Sequence, residues 1–254
     1  MAADDYILYI LNKYTVNLSD GSPVILAAQS VYPIIENWAG SQLIEVKFSG
    51  SHAKGTGIAG KADTDLFISL KSDTSNTLKE IYYSLNTRMQ KYGYTTKLQN
   101  VSIRVNHNGV EIDLVPGVKY SGNTNYHWLY VKKSGKERTQ TNINKHVDII
   151  KNSGRINEIR AMKIWSHNHG LDFPSIYLEL TVLDALSGMR YISLANNICT
   201  VLEYLRDNFI NTTIVDPSNS ANIISEDLTN DEKKFIVNQA QKSRNQAYWE
   251  DIIW

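Results

Sequence analysis

Asp63-Thr64-Asp65-Leu66-Phe67-Ile68 places two carboxylates one residue apart at the head of an apolar run. Side chains alternate between the two faces of a strand, so Asp63 and Asp65 project from the same face. A chain built this way needs a sheet that buries one face and keeps acids together on the other, where hard, oxygen-seeking cations can be held side by side. Just upstream, Phe48-Ser49-Gly50-Ser51-His52-Ala53-Lys54-Gly55-Thr56-Gly57 offers Gly50-Ser51 as the opening of a helix whose N–H groups can meet a phosphate. Two metals about 4 Å apart would activate an attacking hydroxyl and stabilise a leaving pyrophosphate. The stretch reads as a nucleotide-polymerising site.

That chemistry calls for a third carboxylate. Lys97 to Val105 reads as a strand, Asn108-Gly109 as a two-residue hairpin turn, and Val110-Glu111-Ile112-Asp113-Leu114-Val115 as the returning strand. Asp113 then sits in a sheet, and pairing beside the Asp63/Asp65 strand brings the three acids together. Glu111 shares the parity of Asp113 and is its rival. Around them, Pro23 to Trp38 reads as a helix with Pro in its first turn, Leu43 to Phe48 as a strand, and Asn76 to Tyr92 as an amphipathic helix with Leu78, Ile81, Tyr82, Leu85 and Met89 on one face. Strand, helix, strand in this order implies a small mixed sheet with flanking helices, an α+β fold. Thr139-Gln140-Thr141-Asn142 precedes a mostly helical remainder, which divides the chain into 1–140 and 141–254.

Gly-Ser, Gly-Thr, a spaced Asp-x-Asp and a distant Asp between apolar residues resemble the DNA polymerase beta-type nucleotidyltransferase superfamily over residues 45–116. Glu158-Ile159-Arg160-Ala161-Met162-Lys163-Ile164-Trp165 and Phe173-Pro174-Ser175-Ile176-Tyr177-Leu178-Glu179-Leu180 are similar to the helical part of oligoadenylate synthetases, bacterial cyclic-oligonucleotide synthases (CD-NTases) and archaeal-type CCA-adding enzymes. Asp216-Pro217-Ser218-Asn219-Ser220-Ala221-Asn222 resembles the Asp-Pro-x-Asn-x-x-Asn segment of the synthetase branch. The resemblance implies a two-lobed fold, with a nucleotidyltransferase palm and N-terminal helices in 1–140 and a helical nucleotide-binding lobe in 141–254. It implies Asp63, Asp65 and Asp113 as catalytic ligands of two Mg²⁺ or Mn²⁺ ions, and Gly50, Ser51, Lys54 and Thr56 around the nucleotide. Lys163 falls at the position of the Lys that those families place on the triphosphate, with Arg160 one turn earlier on the same face. Tyr177 falls near the base-stacking Tyr, although its spacing to Glu179 is one residue shorter than the family pattern.

The implied activity is template-independent joining of nucleoside triphosphates, ATP foremost, into a linear or cyclic oligonucleotide signal, which in bacterial relatives serves antiviral defence. The alternatives are addition to an RNA 3′ end or a protein hydroxyl, and a silent nucleotide-binding module. RNA therefore enters as an activator or an acceptor.

Lys plus Arg and Asp plus Glu both number 26, so no global field draws in polyanions, and a small substrate is favoured over duplex or transfer RNA. Lys132-Lys133-Ser134-Gly135-Lys136-Glu137-Arg138 is the densest local basic stretch. The one cysteine, Cys199, excludes an internal disulfide framework. His167-Asn168-His169 does not suit zinc, because residues two apart on a helix do not face one another. No apolar run approaches the roughly 20 residues a spanning helix needs, and the N-terminal residues lack a signal-peptide pattern, so a cytoplasmic protein with no membrane contact is expected.

Overall fold

The computed structural model describes residues 2–60, 64–122, 124–133, 135 and 137–254. In chain order the elements are α1 (Ala3–Lys13), α2 (Pro23–Ala39), β1 (Leu43–Phe48), α3 (Gly50–Lys54), β2 (Thr64–Leu70), α4 (Leu78–Lys91), β3 (Thr96–Leu98), β4 (Ile103–His107), β5 (Val110–Lys119), β6 (His127–Tyr130), β7 (Arg138–Thr141), α5 (Ile143–Lys151), α6 (Ile156–Asn168), α7 (Ser175–Ala185), α8 (Leu194–Asp207), β8 (Val215–Asp216), β9 (Asn219–Ile223) and α9 (Asn230–Arg244). They form two compact units. A sheet unit holds Asn17–Lys54 and Ala62–Asp148, and a helical unit gathers Met1–Val16, Gly55–Lys61 and Ile149–Trp254. This differs from a single cut at 140/141, for reasons visible in the helical unit. Asp4 on α1 accepts from the Leu194 and Ala195 amides at 3.1 and 2.8 Å, capping α8 from a distant part of the chain. Ile7, Ile10, Leu11 and Ile58 are buried in the same core as α6 to α9, and the Ala59 amide donates to the Tyr14 carbonyl at 2.9 Å.

In the sheet unit the strands run in the order β1-β2-β5-β4-β3, with β6 on β5 and β7 on β6. The β2–β5 pair is parallel and the others are antiparallel. A parallel pair needs a crossover, and α4 with the β3–β4 hairpin lies between the two strands in sequence. One face of the sheet is the core: Leu66, Ile68, Ile103, Val105, Ile112 and Leu114 cluster with Val31, Ile34, Ile35, Ile81, Leu85 and Met89 of α2 and α4. Each such side chain fully withdrawn from water contributes about 1.5–3 kcal/mol. The alternate residues of β2 and β5, Asp65 and Asp113 among them, therefore occupy the opposite face.

Local chemistry explains the boundaries. Ser22 caps α2 ahead of Pro23, and Pro33 lies within that helix, where packing of Val31, Ile34 and Ile35 outweighs the lost hydrogen bond. Thr77 and Glu80 form a reciprocal capping box that starts α4. Asn108 and Gly109 take φ of 51° and 86°, as a tight two-residue hairpin requires. The expected Lys97–Val105 strand is instead two strands. The Gln99 amide bonds the Ser102 carbonyl at 2.9 Å, and the Tyr82 hydroxyl, from α4, is shared between the Gln99 and Ser102 carbonyls at 2.8 and 2.9 Å. Burial pushes that hydroxyl up to about 12.

On the same face as Asp65, Ser69 donates to Nε2 of His127 at 2.7 Å, and His127 Nδ1 donates to the Asn125 carbonyl at 3.1 Å. The carbonyl can only accept, so Nδ1 carries a proton, and a neutral ring then takes the Ser69 hydrogen at Nε2. Burial holds this imidazole below its usual range, outweighing the Asn125 bond. The unfolded chain thus binds a proton near pH 6.5 that the folded chain takes up only at lower pH. Stability is full above that value, falls as the pH drops below about 6.5, and levels off beneath the folded-state value. The urea midpoint is expected to fall between about pH 7.5 and 5.5, and to fall less in His127→Gln. Equal losses in both proteins would contradict this assignment.

In the helical unit Trp165, Tyr177 and Phe209 are among the largest enclosed side chains. His169 Nε2 donates to the Ile252 carbonyl at 2.9 Å and its Nδ1 accepts from Gln239 at 3.0 Å, a structural use of that histidine. Lys233 on α9 is buried. Ser134 and Lys136 of the basic stretch lie outside the described residues, while Arg138 stacks its guanidinium 4.3 Å over the Trp128 ring. Among the described residues no helix is long and apolar enough to cross a membrane.

Candidate active site

The register places Asp65 opposite Asp113 across the parallel β2–β5 pair, and Asp113 opposite Arg104 across the antiparallel β4–β5 pair. Neighbours in register point to the same face, so the three charges form a row with strand spacings of about 4.8 Å. Asp113 is 7% exposed. Arg104 grips it bidentately, Nε to Oδ1 and a terminal nitrogen to Oδ2, both at 2.8 Å, and reaches Glu111 with its other terminal nitrogen at 2.6 Å. The planar fork fixes the carboxylate's orientation as well as its charge. Gln99 adds a bond to Asp113 Oδ1 at 3.1 Å and is itself steadied by the Ser102 hydroxyl at 3.2 Å. Of the two rival acids, Asp113 is buried beside Asp65, and Glu111 is exposed at the row's edge.

Above Asp65 runs the turn that carries Gly50 and Ser51. The Ser49 amide donates to the Asp65 carbonyl at 2.8 Å. Gly50 has φ of 57°, and a Cβ there would lie 1.8 Å from Asp65 Oδ2. The carboxylate thus occupies the space a side chain would take. Ser51 is in the first turn of the short α3, and His52 and Lys54 are buried in it. Asp63 lies outside the described residues. Among the described residues no group of three or more His, Cys, Asp or Glu side chains could hold a metal ion. The two described carboxylates nonetheless fit the hard-oxygen preference of Mg²⁺ or Mn²⁺, being adjacent, on one face and held in place.

The remaining expected site residues belong to the helical unit. Lys163 is 7% exposed; its Nζ lies 2.5 Å from Glu179 Oε1 and 3.1 Å from Thr56 Oγ1. Thr56, fully enclosed, donates its hydroxyl to the same Glu179 oxygen at 2.6 Å. Arg160 does not join them: half-buried, it donates to the Leu11 carbonyl at 2.8 Å and reaches Thr15 Oγ1 at 3.4 Å, stapling α6 to the end of α1. Ser218 and Asn222 both bond Asp216, whose carboxylate accepts from the Ser218 backbone amide at 2.7 Å and hydroxyl at 2.8 Å and from the Asn222 side-chain amide at 3.2 Å, which shapes the β8–β9 hairpin.

Tyr177 needs correction as a base-stacking residue. Its ring is 0% exposed, enclosed with Phe173 and Phe209, and so offers no face to a base. Its hydroxyl is buried without a hydrogen-bond partner among the described residues, and burial pushes its ionisation far up. An orphaned hydroxyl costs stability, so Tyr177→Phe is expected to leave the urea unfolding free energy unchanged or raise it by about 1 kcal/mol. A loss larger than that would reveal a partner for the hydroxyl.

Sequence reasoning missed Arg104, Gln99 and Glu179. The signal for Arg104 was present: a two-residue turn at Asn108-Gly109 pairs His107 with Val110, and counting back places Arg104 opposite Asp113.

No protein-family model matches the chain, and no curated protein is similar to it in sequence. Solved structures share its fold. The chain is similar to E. coli MS115-1 CdnC, solved with ATP, at 21% identity and a TM-score of 0.74, over 95% of this chain and 90% of that one. It resembles the Bradyrhizobium diazoefficiens CD-NTase CdnG, solved with GTP, at 9% identity and a TM-score of 0.75, over 96% and 92%. It also resembles the Cid1 poly(U) polymerase, an H336N mutant bound to MgATP, at 12% identity and a TM-score of 0.72, over 98% and 97%. The α+β architecture, mixed sheet and helical C-terminal part are those of nucleotidyltransferase structures.

Proposed function

We propose that this chain is a nucleotidyltransferase that joins nucleoside triphosphates without a template into a linear or cyclic oligonucleotide. The observation that carries the reading is the in-register Asp65–Asp113 pair under the Gly50 turn, on a fold shared with structures solved with ATP, GTP and MgATP. The attacking hydroxyl gives up its proton to water as its oxygen forms a bond to the α-phosphorus, the bond from that phosphorus to the β-phosphate oxygen breaks, and pyrophosphate leaves.

Asp65 and Asp113, joined by Asp63, would hold Mg²⁺ or Mn²⁺, two ions on this reading. Bound metal would supply Lewis-acid activation of the hydroxyl and neutralisation of charge on the departing pyrophosphate. Arg104 and Gln99 keep the Asp113 carboxylate oriented, so little reorganisation is needed when substrate arrives. Gly50 lets the turn approach Asp65, and Ser51 with the adjacent amides would receive phosphate oxygens. Lys163 would act on the triphosphate as a cationic donor, with Lys54 and Thr56 in supporting places: Lys54 buried in α3, Thr56 bonded to Lys163.

The likeness to a poly(U) polymerase favours a second reading, addition of nucleotides to an RNA 3′ end. Balanced charge favours the small-molecule acceptor. Mass spectrometry of products from the mixed nucleoside triphosphates with Mg²⁺ or Mn²⁺, with and without RNA, separates them. Short phosphodiester-linked products without RNA are expected. Product only on added RNA ends would move the protein to the second reading.

A further inference from the structure

Glu179 is 0% exposed on α7. A carboxylate so deeply placed stays ionised only beside a cation, and Lys163 supplies one at 2.5 Å. Thr56 closes the triangle through its bonds to both partners, at 2.6 and 3.1 Å. All three side chains belong to the helical unit. The Lys163 ammonium therefore has a carboxylate in contact before any ligand arrives.

We propose that Glu179 is a built-in counter-charge that sets triphosphate affinity by competing with phosphate oxygens for the Lys163 ammonium. The proposal rests on the reading of Lys163 as a triphosphate residue. If a phosphate draws Nζ toward itself, it weakens the contact between a buried carboxylate and this cation, and that penalty is set against binding. If Nζ stays in place, the phosphate meets an ammonium whose field is offset by the Glu179 carboxylate. Either way the carboxylate weakens attraction for the phosphates and leaves the nucleoside untouched. Loose ground-state binding also reserves interaction energy for the reacting state.

Glu179→Gln keeps the side chain's shape and an Oε1 acceptor for Lys163 while removing the charge. Calorimetric titration of the full chain with α,β-methylene ATP and Mg²⁺ is expected to show about tenfold tighter binding in Glu179→Gln. Lys163→Met is expected to bind more weakly than the unaltered protein, and the double variant to behave like Lys163→Met. Adenosine, which lacks phosphates, should bind the unaltered protein and Glu179→Gln equally. Should thermal melting show Glu179→Gln to be unfolded, Glu179→Asp, whose shorter side chain retreats from Lys163, is expected to tighten binding about threefold. Unchanged or weaker binding in the folded Glu179 variant, with Lys163→Met still weakened, overturns the counter-charge and leaves the role of Lys163 standing. Affinity untouched by Lys163→Met overturns the reading on which the proposal rests.

Discussion

Exchange of Asp65 for Asn is expected to slow nucleotidyl transfer by on the order of a thousandfold or more while leaving the fold intact. Asp65 sits in the row with Asp113 and directly under the Gly50 turn, whose amides are proposed to receive phosphate. Asn has nearly the same shape but is neutral and replaces one acceptor oxygen with an N–H donor, so it removes several kcal/mol of charge stabilisation with little change in packing. Initial rates of pyrophosphate release, taken beside urea unfolding curves, check both halves of this statement. Asp113→Asn provides a contrast: it disturbs the Arg104 fork and the Gln99 bond as well, so it should lose stability together with rate. An Asp65→Asn protein within tenfold of the unaltered rate would sink the assignment of Asp65.

Gly50→Ala is expected to reduce the rate about a hundredfold, because displacing a catalytic group by about 1 Å costs that much. A Cβ at position 50 would be 1.8 Å from Asp65 Oδ2 and 2.5 Å from its Cγ, so the carboxylate or the turn must move. Positive φ adds strain of about 1–2 kcal/mol for an L-residue. Gly55→Ala separates the two effects. Gly55 has φ of 74° with nothing within 4 Å of an added Cβ, so that variant should lose similar stability yet retain far more activity. Equal rates for the two alanine variants, measured with matched unfolding curves, would show that strain rather than the clash governs the loss.

Much of the sheet unit was legible because its signals are local. The β1 bounds Leu43–Phe48 follow from alternation and flanking breaks, α4 from its apolar stripe, and the β4–β5 register from the Asn-Gly turn. The parity of Asp65 and Asp113 follows from the period of a strand, and their juxtaposition from placing the hairpin beside β2. The break between β3 and β4 was not legible: no Gly or Pro marks it, and the turn is held by the Tyr82 hydroxyl, which comes from another element. Thr56, Arg160 and Tyr177 show a different limit. Their types suit substrate contact, and the sequence does not show that each also bonds or packs within its own unit, Thr56 with the Lys163–Glu179 pair, Arg160 with the end of α1, and Tyr177 with an aromatic cluster. Burial of that kind depends on how distant segments pack. The same holds for α1, whose Asp4 finds its partners at the start of α8.

Parallel incubations with a nucleoside triphosphate labelled in its α-phosphate and in its γ-phosphate identify the bond that breaks. Transfer of the nucleotidyl group requires the α-label to appear in a phosphatase-resistant product and the γ-label only in pyrophosphate, with both signals lost in Asp65→Asn. Release of the γ-label as free phosphate, or α-label incorporation that persists in Asp65→Asn, would contradict nucleotidyl transfer at this carboxylate pair.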